Sequence, residues 1–285
     1  MSQQNHARAL AGIVPGQATS DGAGVSLTRY IGSHSLPEFD PFLLLDFFES
    51  DDPDDYIAGF PSHPHRGFET VTYLLAGKMR HGDNAGHSGV IETGGIQWMT
   101  AGRGIIHSEM PEQEDGRLAG FQLWVNLPSQ HKLCDPAYHE YPAAKIPVEE
   151  HPSGARIRVI TGSTSGGTKG PVSGVVTSPM YLDVELPADT IFEEVVPEGH
   201  SCFVFVIEGQ ISVDSGGSGH RVGPRQLGVL GQGDRVCLSS GSTGARFLLV
   251  AAKALHEPIA RYGPFVMNTR AEIEQAIRDF NSGQF

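Results

Sequence analysis

His63-Pro64-His65-Arg66-Gly67 and Gly102-Arg103-Gly104-Ile105-Ile106-His107-Ser108-Glu109 decide how this sequence reads. Each stretch carries two metal-competent side chains at positions i and i+2: His63 with His65, and His107 with Glu109. Along an extended chain such pairs point to one face of a sheet. Two strands, each offering two donors, can therefore close around one ion. Three imidazole nitrogens and one carboxylate oxygen suit a first-row divalent metal, close to the 2-His-1-carboxylate arrangement of non-haem iron. A six-coordinate ion held this way keeps open positions for a substrate oxygen and dioxygen.

Outward from these pairs the chain reads as short strands separated by turns. The segments 68–75, 96–100 and 121–127 are rich in aromatic and β-branched residues, with Gly77 and Gly102-Arg103-Gly104 as stops. An earlier strand is expected over 25–31, the apolar run Pro41-Phe42-Leu43-Leu44-Leu45-Asp46-Phe47-Phe48 is expected to be buried as a strand or short turn, and a hairpin is expected at Asp83-Asn84-Ala85-Gly86. Residues 1–24 are polar and are expected to lie loosely across the surface, and Asp51–Asp55 reads as a solvated acidic loop. After a proline-rich crossing segment, strands are expected over 157–160, 181–186, 191–196, 203–207, 210–213, 226–230, 236–238 and 246–251, with a Gly/Ser/Thr-rich loop at 162–174. The run Gly216-Gly217-Ser218-Gly219 reads as a hairpin turn, since it lacks the Lys-Ser/Thr ending and following helix of a phosphate loop. One helix is expected at the end: Thr269 caps it, Glu272 reciprocates, and Ile273, Ala276, Ile277 and Phe280 form an apolar stripe for packing on a barrel.

The two halves resemble each other. Val71–Gly77 overlays Phe203–Gly209 at an offset of 209 − 77 = 132, which sets His63 against Val195 and His65 against Pro197. Gly102-Arg103-Gly104 overlays Gly231-Gln232-Gly233 at 231 − 102 = 129, which sets His107 against Val236 and Glu109 against Leu238. The pattern implies two similar β-barrels, with a metal set in the first and none in the second. The division expected is 1–130 for the metal-binding barrel, 131–180 for a crossing segment, and 181–285 for the second barrel plus the helix.

Composition agrees with an all-β chain: 285 residues, 39% hydrophobic, with 36 Gly and 19 Pro to supply turns. A net charge of −13 with no basic patch argues against direct nucleic-acid binding. No apolar run is long enough to span a membrane, and the first residues lack the apolar core of a signal peptide. Cys134, Cys202 and Cys237 are an odd, widely spaced set and read as inert thiols in a reducing compartment. A cytoplasmic monomer is the expectation. His81 and His87 are expected to face solvent, and His200 to be structural.

Several long stretches, in order, resemble the pirins, a bicupin family. They are Asp40-Pro41-Phe42-Leu43-Leu44, His63–Thr70, Gln97–Pro111, Leu123-Trp124-Val125-Asn126-Leu127 and Gly263-Pro264-Phe265-Val266-Met267-Asn268. The resemblance covers nearly the full length and implies two cupin-type β-barrels with iron, Fe(II), in the N-terminal one. The family's ligands match His63, His65, His107 and Glu109. General cupins take their carboxylate from a Glu soon after the His pair, so Glu69 competes with Glu109; the expectation is that Glu69 instead supports a ligand or lies near the substrate pocket. Other first-row metals fit the same donors, and copper would bind more strongly, so supply decides occupancy.

The resemblance further implies quercetin 2,3-dioxygenase activity, with a flavonol and dioxygen as co-substrates. The flavonol 3-hydroxyl would lose its proton to Glu109, the catalytic residue, and the ring would open with loss of carbon monoxide. Phe60, Phe68, Trp98 and Met99 are candidates to line the pocket. Pirins are also known as regulatory partners, so a second expectation is an iron-dependent redox sensor that binds a transcription factor or a metabolic enzyme.

Overall fold

Phe68–Ala76 and Leu118–Asn126 are dense in aromatic and β-branched residues and pair antiparallel in the middle of a seven-stranded sheet. Ile96–Thr100 and Ala137–Tyr141 extend that sheet on one side, and Phe42–Ser50, Val25–Ile31 and Gln17–Asp21 on the other. A second sheet of four strands runs Phe60–His65, Ile105–Pro111, Lys78–Asp83, Ser88–Glu92. The structure, a computed structural model, describes residues 6–214 and 219–285. The turn expected at 216–219 therefore lies, Gly219 apart, outside the described residues.

The two sheets enclose an interior with two different ends. At one end Met79 and Ile91 of the small sheet pack with Leu27, Phe48, Leu74 and Leu118 of the large one. Each such side chain withdrawn from water contributes on the order of 2 kcal/mol. At the other end polar groups meet: Thr72 and Gln122 from the large sheet bond to Glu109 from the small one. That second end holds the histidines.

Packing divides the chain into two compact units, Gln17–Ala144 with Leu255–Phe285, and Met1–Gly16 with Lys145–Ala254. Two terminal segments are grouped differently from chain order. The strand Leu10–Val14 pairs with Leu227–Leu230, and the helix Arg270–Asn281 packs Ile273 and Ala276 against Phe265 and Met267 in the unit of the histidines. Thr269 and Glu272 form the reciprocal cap of that helix. Residues 10–21 correct the expectation of a loose N-terminal stretch: both Leu10–Val14 and Gln17–Asp21 are sheet strands. Arg8 anchors the first of them, its guanidinium donating to the carbonyls of Pro197, His200 and Gly231.

The second unit is built on two long strands, His200–Val213 and Arg235–Lys253, each of which merges two expected strands. Bulges between Val206 and Glu208 and between Gly209 and Ile211 bend the pair without breaking it. Its main core cluster is largely aliphatic and aromatic, from Ile157 and Val159 to Phe192, Phe247 and Leu249. Register corrects the overlay of the two halves. His107 lies opposite His63 in the first unit, and Val236 lies opposite Glu194 in the second. Glu194, not Val195, therefore occupies the position of His63. The chain from Glu194 to His200 is one residue longer than that from His63 to Phe68, so the overlay slips by one across that turn.

The segment after His65 is held from three sides. Gly67 adopts φ +88°, and a Cβ there would sit 1.9 Å from the Val266 carbonyl oxygen, so no other residue fits. Arg66 donates to the Arg103 carbonyl and pairs with Asp279 at 2.7 Å, while its guanidinium lies 4.3 Å from the Phe285 ring centre. Buried Lys132 donates to the Gly67 carbonyl (2.8 Å), Asn126 Oδ1 (2.7 Å) and the Val266 carbonyl (3.0 Å). Burial lowers its pKa to about 8. Lys132→Met leaves all three acceptors without this donor and is expected to destabilise the protein by on the order of 3 kcal/mol in urea unfolding. A midpoint equal to that of the wild type would contradict this role.

Candidate metal centre

Antiparallel pairing of Phe60–His65 with Ile105–Pro111 creates the site. His107 faces His63 directly across the pair, Ile105 faces His65, and a bulge between His107 and Glu109 brings Glu109 opposite Phe60. The ring centres of His63, His65 and His107 lie 4.5, 4.7 and 5.0 Å apart. One ligand atom from each falls within 4.8 Å of the others, the only such grouping among the described residues.

Hydrogen bonding leaves this cluster incomplete. His63 Nδ1 donates to the Pro61 carbonyl at 2.8 Å, which turns the lone pair of Nε2 toward His65 Nε2, 3.0 Å away. Among the described residues neither nitrogen of His107 has a hydrogen-bond partner. Burial, with the neighbouring histidines adding to it, pushes His65 well below the ordinary imidazole range and His107 down to about 3. Both rings are therefore neutral at neutral pH, the form that ligates a metal. Converging, neutral, unsatisfied imidazoles fit a bound divalent ion.

Glu109 stands apart from the three-histidine grouping but shares its cavity. Thr72 Oγ1 donates to Oε1 at 2.6 Å, and Gln122 Nε2 donates to Oε2 at 2.8 Å. The cavity, about 550 Å³, is lined by His63, His65 and Glu109 on one side and by Phe48, Phe60 and Trp124 on others. Phe60 lines it as expected, whereas Phe68 backs Trp124 at 4.4 Å, Trp98 lies on the opposite sheet face, and Met99 packs with Ala101 and Ile105. Trp124 and Gln122 escaped the sequence reading, although they too stand at i and i+2 on one strand. The far wall is charged: Arg29 clasps buried Asp46 through two hydrogen bonds of 2.7 and 2.8 Å, and Arg261 lies 4.8 Å over Trp124.

His81 is 5% exposed and bonds to Glu140, which corrects the expectation that it faces solvent. It shares the inward face of Lys78–Asp83 with Met79, two residues earlier. His87 is exposed and pairs with Asp83 at 2.8 Å. Glu69 sits three residues before Thr72, so strand alternation turns it to the face opposite Glu109. There it is 3% exposed and accepts from Thr100 Oγ1 at 2.7 Å.

Burial raises the pKa of Glu69 from 4.5 to about 7, so the folded state holds the proton more tightly than the unfolded chain. Stability is then lost as pH rises from 4.5 to 7, by about 3 kcal/mol at ~1.4 kcal/mol per unit. Glu69→Gln is expected to raise the melting temperature at pH 8 and to leave it nearly unchanged at pH 4.5. An equal effect at both values would remove the buried, protonated carboxyl from the account.

A histidine-lined pocket between two antiparallel sheets, in a chain with a second unit of similar plan, defines the class: a two-domain protein of the cupin type. The chain belongs to the pirin family, matching "Pirin" over residues 24–125 and "Pirin C-terminal cupin domain" over residues 181–285. It is 52% identical over 274 residues to a pirin-like protein of Caulobacter vibrioides, covering 96% of this chain and 97% of that one. It is 41% identical over 267 residues to pirin of Homo sapiens, covering 93% and 89%. A crystal structure of quercetin 2,3-dioxygenase from Acinetobacter baumannii superposes with a TM-score of 0.88 at 35% identity, over 98% of each chain. Among the described residues no helix is long and apolar enough to cross a membrane.

Proposed function

We propose that this chain is a metal-dependent dioxygenase of flavonols, of the quercetin 2,3-dioxygenase type, with Fe(II) held by His63, His65, His107 and Glu109. What carries this reading is the three-histidine cluster beside a cavity that His63, His65 and Glu109 line together with Phe48, Phe60 and Trp124. The Acinetobacter baumannii relative described as a quercetin 2,3-dioxygenase supports it. A ferrous ion at this place would supply Lewis acidity toward a substrate oxygen and the one-electron chemistry that dioxygen needs.

The chain's own residues account for binding and proton handling. Glu109 is assigned both as fourth donor and as base. Each of its oxygens accepts one hydrogen bond, from Thr72 or from Gln122, so each keeps lone-pair capacity. In this role it takes the proton of the flavonol 3-hydroxyl while Thr72 and Gln122 keep the carboxylate aimed. Phe48, Phe60 and Trp124 offer apolar faces to a planar ring system and keep water from it. Cys134, Cys202 and Cys237 are free thiols, which fits a reducing, cytoplasmic setting in which iron stays ferrous.

Iron-loaded protein is expected to consume quercetin in air and not under anaerobic conditions. His107→Ala is expected to lower the rate by roughly a hundredfold or more, with iron bound more weakly. An undiminished rate in that variant would overturn the reading. Bound iron without turnover would favour the other class, a metal-dependent binding protein, for which pull-downs with ferrous and ferric forms would recover different partners.

A further inference from the structure

The cavity beside the histidines carries a cation that the proposed chemistry leaves unused. Arg261 lines it and belongs to the short hairpin of Ala260–Tyr262 with Phe265–Met267, where it stands opposite Val266. That hairpin is tied to the segment after His65. The Val266 amide donates to the Arg66 carbonyl at 3.0 Å, and the Arg66 amide donates to the Pro264 carbonyl at 3.3 Å. The Arg261 guanidinium lies 4.8 Å over Trp124, whose ring centre is 5.2 Å from that of His65. One aromatic ring thus separates the cation from the metal donors, a distance that a three-ring substrate spans.

Charge on this wall is unevenly met. Asp46 is 3% exposed, and its two oxygens accept from Arg29 at 2.8 and 2.7 Å. Arg29 also donates to Asp21 at 2.8 Å, so one guanidinium answers both carboxylates. Arg261 is exposed, and no carboxylate pairs with it among the described residues. Its Nη1 makes a single long hydrogen bond, 3.4 Å, to the Leu43 carbonyl. Stacking on Trp124 occupies a face of the guanidinium and leaves its N–H edge for an incoming group.

We infer that Arg261 is a specificity-determining residue. Resting on the flavonol reading above, it selects aromatic substrates that carry an oxyanion, a sulfate or carboxylate, on the end remote from the metal. The guanidinium fork can donate two parallel N–H bonds to such a group, with charge behind both. The pairing lies at an exposed side chain, so it contributes a few-fold in affinity and is screened by salt.

The experiment is titration calorimetry of the iron-loaded, full-length protein under nitrogen with kaempferol, kaempferol 7-sulfate and kaempferol 4′-sulfate. The three share the 3-hydroxyl and differ in the charge at one end. One sulfate is expected to bind about fivefold tighter than kaempferol at low salt, and the preference is expected to shrink at high salt. Arg261→Gln is expected to bring that ratio to about one, and Arg261→Lys to restore it in part, since the charge returns without the fork. In air the ratio is expected to appear in KM and not in kcat. Sulfates that bind no tighter than kaempferol, or a preference intact in Arg261→Gln, would overturn this inference and leave the flavonol reading standing. Binding of none of the three would overturn both. A sulfate preference that Arg261→Gln abolishes, with no turnover of any of them in air, would support Arg261 and remove the dioxygenase reading alone.

Discussion

The site depends on one register. Phe60–His65 and Ile105–Pro111 pair so that His107 faces His63, and the bulge beyond His107 moves Glu109 on to Phe60. A slip of one residue would turn His107 to the other sheet face and disperse the cluster. The turns that fix this register are themselves fixed. Gly67 approaches Val266 more closely than any side chain allows, its amide donates to the Gly102 carbonyl, and Lys132 bonds to its carbonyl. The glycines and the lysine carry no chemistry of the site, yet they determine where its donors point.

The same interior that positions the histidines also tunes them. Apolar packing of Met79, Ile91, Leu74 and Leu118 closes one end of the unit, and the polar cluster occupies the other. Desolvation keeps His65 and His107 uncharged, and neither nitrogen of His107 has a hydrogen-bond partner among the described residues. Unmet imidazoles in such a place are unfavourable for the fold alone. Under the proposed function, the ion offsets that penalty, and metal binding and folding are coupled. Glu109 differs from the histidines because Thr72 and Gln122 already hold its carboxylate.

Local features of the sequence were informative where the physics is local. The i, i+2 pairs at His63/His65 and His107/Glu109 and the Thr269/Glu272 cap could be recognised without coordinates. What escaped depends on pairing between distant segments. Leu10–Val14 is too short to declare itself until Leu227–Leu230 is beside it, and the terminal helix shows an apolar stripe but not which unit covers it. His81, Gln122 and Trp124 could have been placed by strand parity, had the edges of their strands been known. Glu194 was hidden by a single extra residue before His200, which shifts the overlay and sets an exposed valine where a buried carboxylate stands.

The central claim is that one ion is held by His63, His65, His107 and Glu109. X-ray absorption at the iron edge of reconstituted protein tests it most directly. Imidazole scattering from three rings is predicted, with one carboxylate oxygen in the same shell and the loss of one ring's signal in His107→Ala. Fewer than three imidazoles in the wild type, or an unchanged spectrum in that variant, would contradict the account.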